Sequence, residues 1–275
     1  MLIRPSGRST DFISPSFGYG CLYDCSYCYM KRHKPKGLDI AENIEDILTA
    51  VNNHAYFTPV DKPNQTHPVL TTYDISCNED FALHAKFYDW QKIFEFFKNH
   101  PLAMGSFATK YVNPDFISYD PNKKIRIRYS LMPQHMSDKH EPNTSKILDR
   151  IKAVDAFIDA GYEVHLNFSP VIVYKGWRKD YKELFEMVNE YIDYKDEVLA
   201  EVIFLTHNKK KHLANLKNHA EAEKDLWIPE IQQNKISQYG GENLRYELSL
   251  KKKFIEQFTA IHDSIIPWNK IRYIF

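Results

Sequence analysis

The chain has 275 residues, 43% of them hydrophobic and 26% charged, which is enough apolar material for a packed core and excludes bulk disorder. Its 36 basic residues balance 36 acidic ones, so whole-molecule charge supplies no pull toward nucleic acid or an anionic membrane, and any such binding needs a local patch. No run reaches the roughly 18 apolar residues of a membrane span, and the opening MLIRPSGRST lacks the apolar stretch of a secretion signal. A cytoplasmic protein with no membrane partner is expected.

In chain order, Phe12, Ile13 and Phe17 suit a short strand that the glycines at 18 and 20 loosen into a loop. From Asp39 the spacing of Ile44, Ile47, Leu48 and Val51 predicts a helix, with Asp39 and Glu42 at capping-box distance. Prolines make 54–67 a loop, after which 68–76 reads as a buried strand. A helix over 78–100 carries Trp90, Ile93, Phe94 and Phe97 on one stripe. Strands are expected at 103–109, 125–131, 163–169 and 198–205, with helices at 144–160 and 180–194 between the last three. Residues 217–247 read as polar and turn-rich, followed by a helix and a final short strand, IRYIF.

Strands alternating with helices of this length form repeated units around a parallel sheet, here about six. The expected division is a barrel over 1–215 and a C-terminal segment over 216–275 packed on it.

Three of the four cysteines, Cys21, Cys25 and Cys28, fall within eight residues. In a chain without a secretion signal, such crowding points to metal or redox chemistry before disulfides. Three thiolates leave one coordination position open, which suits catalysis better than bracing. A zinc site completed by a histidine such as His33 is the structural alternative.

The CxxxCxxC spacing, with Tyr27 just before the last cysteine, resembles the radical S-adenosylmethionine superfamily. Within it the chain resembles the spore photoproduct lyase family: CSYCYM sets Tyr27 and Tyr29 around Cys28, and DISCNED carries Cys77 with Asp80 three positions on. FATK, HEPNTSKILDRIKAV, AGYEVHLNFSPVIVYKGW and the terminal IRYIF extend the likeness over roughly 12–185 and the C-terminus, with 205–265 least similar.

The resemblance implies a partial (β/α)6 TIM-type barrel with a short C-terminal extension, and chemistry at the C-terminal strand ends. It further implies a [4Fe-4S] cluster on Cys21, Cys25 and Cys28, with S-adenosyl-L-methionine on its unique iron as the source of a 5′-deoxyadenosyl radical. A reductant such as flavodoxin or ferredoxin would feed the cluster, and damaged DNA would be the partner of a monomer. Cys77 would return hydrogen to the repaired thymine, while Tyr27 and Tyr29 relay the radical back toward the cofactor. Lys110, Ser130 and Ser76 are implied cofactor contacts, and Arg272 and Tyr273 implied lesion contacts. Packing alone would also account for Cys77 as a core thiol and for the two tyrosines as core aromatics.

Other residues receive local readings. Glu141 and Thr144 suit a helix cap near Ser145, with Arg150 tying that helix to a loop. His135, His140 and His165 form no chelating set and are expected at the rim or in packing. The run KRHKPK after the cysteines, with Lys123, Lys124, Arg126, Arg128, Lys209, Lys210 and Lys211, is a candidate phosphate-facing edge. The sequence starts almost at the cysteine loop, without the family's N-terminal extension, and its charge is zero. Two alternatives therefore stay open: a radical enzyme acting on another nucleic-acid lesion or a small molecule, and a non-catalytic zinc-stabilised nucleic-acid-binding protein.

Overall fold

The computed structural model describes residues 2–57, 61–236 and 240–275. Short runs rich in β-branched and aromatic residues supply the sheet, and turn residues separate them. The first part of the chain forms β1 (Arg4–Pro5), β2 (Phe12–Ile13), β3 (Gly18–Gly20), α1 (Met30–His33), β4 (Leu38–Ile40) and α2 (Ile44–Phe57). There follow β5 (Thr71–Asp74), α3 (Phe81–His84), α4 (Trp90–Asn99), β6 (Ala103–Thr109), β7 (Ile125–Ser130), α5 (Gln134–His140) and α6 (Ile147–Asp159). The last part holds β8 (Glu163–Val171), α7 (Trp177–Tyr191), β9 (Leu199–Phe204), β10 (Thr206–Asn208), α8 (Lys209–Asn218), α9 (Ala220–Leu226), β11 (Gln232–Ile236), β12 (Glu242–Tyr246), α10 (Leu248–Ile265) and β13 (Ile271–Ile274).

Eight strands form one sheet in the order β1-β2-β5-β6-β7-β8-β9-β13. The first pair is antiparallel and all the others are parallel, and twist curls the sheet into an open half-barrel. This is the expected partial TIM-type architecture. Residues 216–275 divide between the two bodies: β11 and β12 join β10 in a small three-stranded sheet, whereas α10 packs on α7 and β13 completes the large sheet.

Helical stripes cover the convex face. Ile47, Leu48 and Val51 of α2, Trp90, Ile93, Phe94 and Phe97 of α4, and Ile147, Ile151, Val154 and Ile158 of α6 are all buried, which supplies the main apolar driving force. Strand alternation sends Ile125, Ile127 and Tyr129 of β7 into that core. The lumen is instead polar, and its charges are paired. Arg126 Nε donates to Glu163 Oε1 at 2.7 Å, and Arg128 Nη2 to Asp74 Oδ2 at 2.7 Å. Glu201 accepts from Arg272 at 2.6 Å and from Tyr273 at 2.7 Å.

Several local expectations are corrected. Gly18 and Gly20 lie in β3, which pairs with β4, so Asp39 sits in a strand and caps nothing. Helix α2 starts at Ile44 and runs to Phe57, into the stretch expected as loop. The helix expected over 78–100 breaks into α3 and α4, because Asp80 and Asp89 each cap a new N-terminus. The β6–β7 crossover, where no helix is expected, holds a 3-10 turn, Pro114–Ser118. The described residues of 217–247 form α9 and two strands as well as the end of α8.

Candidate active site

Parallel strands bring their C-terminal ends to one rim, and the cysteine loop folds over it. Gly20 permits the turn into this loop: its φ is 112°, and a Cβ there would stand 2.7 Å from the Gly37 carbonyl. Two polar supports then hold the loop. Leu22 N–H donates to His84 Nε2 at 3.3 Å, and His84 Nδ1 meets Glu79 at 3.0 Å. Ser26 Oγ meets His140 Nδ1 at 2.7 Å, Asp225 backs that ring at 3.1 Å, and Asn215 donates to the Ser26 carbonyl at 2.6 Å. His140 is thus a packing residue for the loop. Buried His165 lies among the lumen carboxylates, and exposed His135 stands 3.5 Å from Asp180.

Cys21, Cys25 and Cys28 line one cavity of about 240 Å³ together with Cys77, Tyr27, Tyr29, Asp80 and Lys110. Cys77 follows β5 and lines the same cavity as the three loop thiols. Tyr29 Oη donates to the Cys77 carbonyl at 2.6 Å and lies 3.8 Å from Cys77 Sγ. Burial, and then the charge of Asp74, push the Cys77 thiol above its ordinary value; Tyr29, Arg4 and Arg128 oppose them. Cys77 therefore keeps its proton. Arg4, from β1, also reaches Cys77 Sγ at 3.8 Å.

The second cluster centres on Glu141, which is buried. Its carboxylate accepts from Tyr27 Oη, from Arg150 at 3.1 Å and from Ser137 at 3.1 Å, and Lys110 Nζ lies 3.8 Å away. Burial alone would raise the Glu141 carboxyl, but Lys110 and Arg150 outweigh it and hold it below the ordinary carboxylate range. Burial likewise disfavours the Lys110 cation, yet Glu141 prevails and raises it. Glu141 is therefore a buried counter-ion and not a cap. Helix α6 begins at Ile147, whose N–H bonds to Gln134 Oε1, while Thr144 accepts from Arg150 at 2.7 Å. Arg150 ties that helix to neighbouring loops as expected, donating also to the Ser130 and Ser145 carbonyls.

Asp80 fastens Lys110 to the rim. One carboxylate oxygen caps α3 and accepts from Thr109 Oγ1 at 2.6 Å, and the other accepts from Lys110 N–H at 2.9 Å. Ser76 lines the cavity, whereas buried Ser130 is not among its lining residues.

The donor set can be tested against an iron-sulfur group. Among the described residues, no three thiol, imidazole or carboxylate groups converge closely enough for a single ion. The three loop thiols nonetheless share one cavity, an arrangement that fits a multi-iron cluster, since such a cluster takes each thiolate on a different iron. Burial, and then Asp80, push Cys21 up to about 12, and burial raises Cys25 well above its ordinary value. Thiols so disfavoured as free anions call for a compensating positive centre.

Other sequence-picked residues lie elsewhere. Arg272 and Tyr273 bond Glu201 and line a separate cavity of about 630 Å³ with Arg8, Asn64 and Gln65. Arg126 and Arg128 are buried in the lumen, which corrects their placement on a phosphate-facing edge. Lys123 and Lys124 precede β7 and so stand at the barrel end opposite the cysteines. Lys211 is buried, but Lys209 and Lys210 do line an outer cavity beside the cysteine loop. Of the KRHKPK run, the Arg32 side chain falls outside the described residues, and Lys34 pairs with Asp39 at 2.7 Å. Sequence reading missed Arg4 and Arg128 at Cys77 and the counter-ion role of Glu141.

Known proteins match both the sequence and this architecture. Spore photoproduct lyase of Bacillus subtilis (strain 168) is 25% identical over 98% of this chain and 77% of its own length. The lyase of Clostridium acetobutylicum is 26% identical over 97% of this chain and 80% of its own. A spore photoproduct lyase complexed with dinucleoside spore photoproduct superposes with a TM-score of 0.87 at 21% identity, covering all of this chain and 79% of that one. A variant lyase with bound AdoMet and the same dinucleoside gives 0.88 at 20% identity, with the same coverage. These two superpositions establish the shared fold. Residues 3–275 match the family described as spore photoproduct lyase, and the chain belongs to that family.

Proposed function

We propose that this protein is a radical S-adenosylmethionine lyase that returns spore photoproduct in DNA to two thymines. The observation that carries the reading is the single cavity that Cys77 shares with Cys21, Cys25 and Cys28, with the Tyr29 phenol on Cys77. Cys21, Cys25 and Cys28 would hold a [4Fe-4S] cluster, and Lys110 and Ser76 would contact the methionine part of S-adenosylmethionine. When bound, these groups supply one electron, from a carrier such as flavodoxin or ferredoxin, and a 5′-deoxyadenosyl radical.

The chain's own residues then act on hydrogen. Cys77 gives its thiol hydrogen to a thymine-centred radical, forming a C–H bond at the cost of a weaker S–H bond. Its raised pKa suits this step, because a thiolate has no hydrogen to give. Tyr29, 3.8 Å from the sulfur, would restore the S–H bond by passing on its phenolic hydrogen. Tyr27 is the second relay member in this reading, and Glu141 fixes its hydroxyl. Arg272 and Tyr273 would act from a distance, through Glu201, Arg128 and Asp74.

The test is anaerobic reconstitution with iron and sulfide, followed by S-adenosylmethionine, dithionite and spore photoproduct dinucleotide. Thymine should appear. A fully loaded cluster that cleaves the cofactor yet releases no thymine overturns the substrate, and a colourless protein retaining one zinc per chain overturns the chemistry.

A further inference from the structure

Arg4 stands on the short edge strand β1, where no sequence pattern marks it. Its guanidinium reaches Cys77 Sγ at the point where the inner cavity meets an outer one of about 970 Å³. The two cavities share Tyr27, Tyr29 and Met30, and Arg4 lines the outer one together with Lys209 and Lys210. Lys209 is already paired with Glu242. Among the described residues, the Arg4 side chain has Cys77 sulfur as its one polar partner, and no carboxylate pairs with it.

A neutral thiol is a weak acceptor, whereas a guanidinium presents five donors in a fork that matches an oxyanion. The thiol stays protonated, so the cation is not needed to stabilise a thiolate. An anion gripped by Arg4 would lie one guanidinium away from the sulfur that must touch the lesion, which places the lesion's own internucleoside linkage there. Phosphates further along the strand would instead meet Lys209 and Lys210.

We propose that Arg4 binds the phosphodiester bridging the two joined thymidines, seats the lesion over Cys77 and favours a DNA strand over free nucleosides. This rests on the repair reading above. The test compares wild type, Arg4→Ala and Arg4→Lys on spore photoproduct as dinucleotide and as phosphate-free dinucleoside. In Arg4→Ala the ratio of kcat/KM for dinucleotide over dinucleoside should fall roughly 10- to 100-fold, mainly through KM, as loss of a charge-assisted hydrogen bond implies. Arg4→Lys should recover part of it.

Calorimetric binding of both compounds makes the result independent of turnover. Wild type should prefer the dinucleotide, and Arg4→Ala should lose that preference. An unchanged ratio in both assays, or equal losses on the two compounds, overturns the inference. Phosphate-dependent binding without repair would sink the repair reading and leave the Arg4 contact standing.

Discussion

Half-buried Cys77 and buried Glu141 show how two side chains at one rim serve different ends. Cys77→Ala should still cleave the cofactor but lose clean return to thymine, giving misquenched products by chromatography; unchanged repair would remove the thiol from the mechanism. Glu141→Gln leaves Lys110 and Arg150 as buried cations without a carboxylate, and denaturant unfolding should register a loss of about 3–5 kcal/mol. The cysteine triplet was legible because its spacing is local, and Cys77 because a family segment carries it. Glu141 was hidden: an acidic residue and a threonine just before a helix look like a cap, and only the tertiary approach of Arg150 and Lys110 shows otherwise. Arg4 carries no local signal at all, since its neighbour in space is Cys77, 73 residues away in sequence and just past β5, two strands from β1.

Among the elements, α3 illustrates a short helix whose worth lies in what its cap holds. Asp80 spans the helix start and the end of β6. Asp80→Ala should cost about 1–2 kcal/mol, as cap removal does, and should also weaken S-adenosylmethionine binding by freeing the Lys110 backbone, which equilibrium dialysis would detect. Full binding at reduced stability would show that the cap serves the fold alone. Elements with a strong apolar period were readable: β6 matches its expected span, and α10 carries the expected final helix. The small sheet and its helices escaped because their buried residues are largely polar, with His207 and Asn215 both bonded to Glu223 in place of an apolar stripe. Arg126 and Arg128 misled for a related reason. Alternation with isoleucine normally marks a wet strand face, but in a curled sheet that face looks into the lumen, where carboxylates meet it.

At the scale of the molecule, the lumen charges tie stability to pH. The Glu201 carboxyl is lowered from 4.5 to about 2: burial opposes its charge, and His165, Arg128 and Arg272 outweigh burial. A lowered folded-state value means that its contribution is complete above the unfolded value and drains away as pH falls from 4.5 toward 2. Acid unfolding should steepen across that interval, and Glu201→Gln should flatten it while costing roughly 3–5 kcal/mol near neutrality. An unaltered acid profile would place the sensitivity in other carboxylates. The strand order carries one more consequence, for synthesis. Strand β9 leaves the ribosome long before β13, so its outer edge is an open template for any neighbouring nascent chain until the last residues arrive. Translation halted before Ile271 should thus yield insoluble polymer instead of a trimmed but working enzyme.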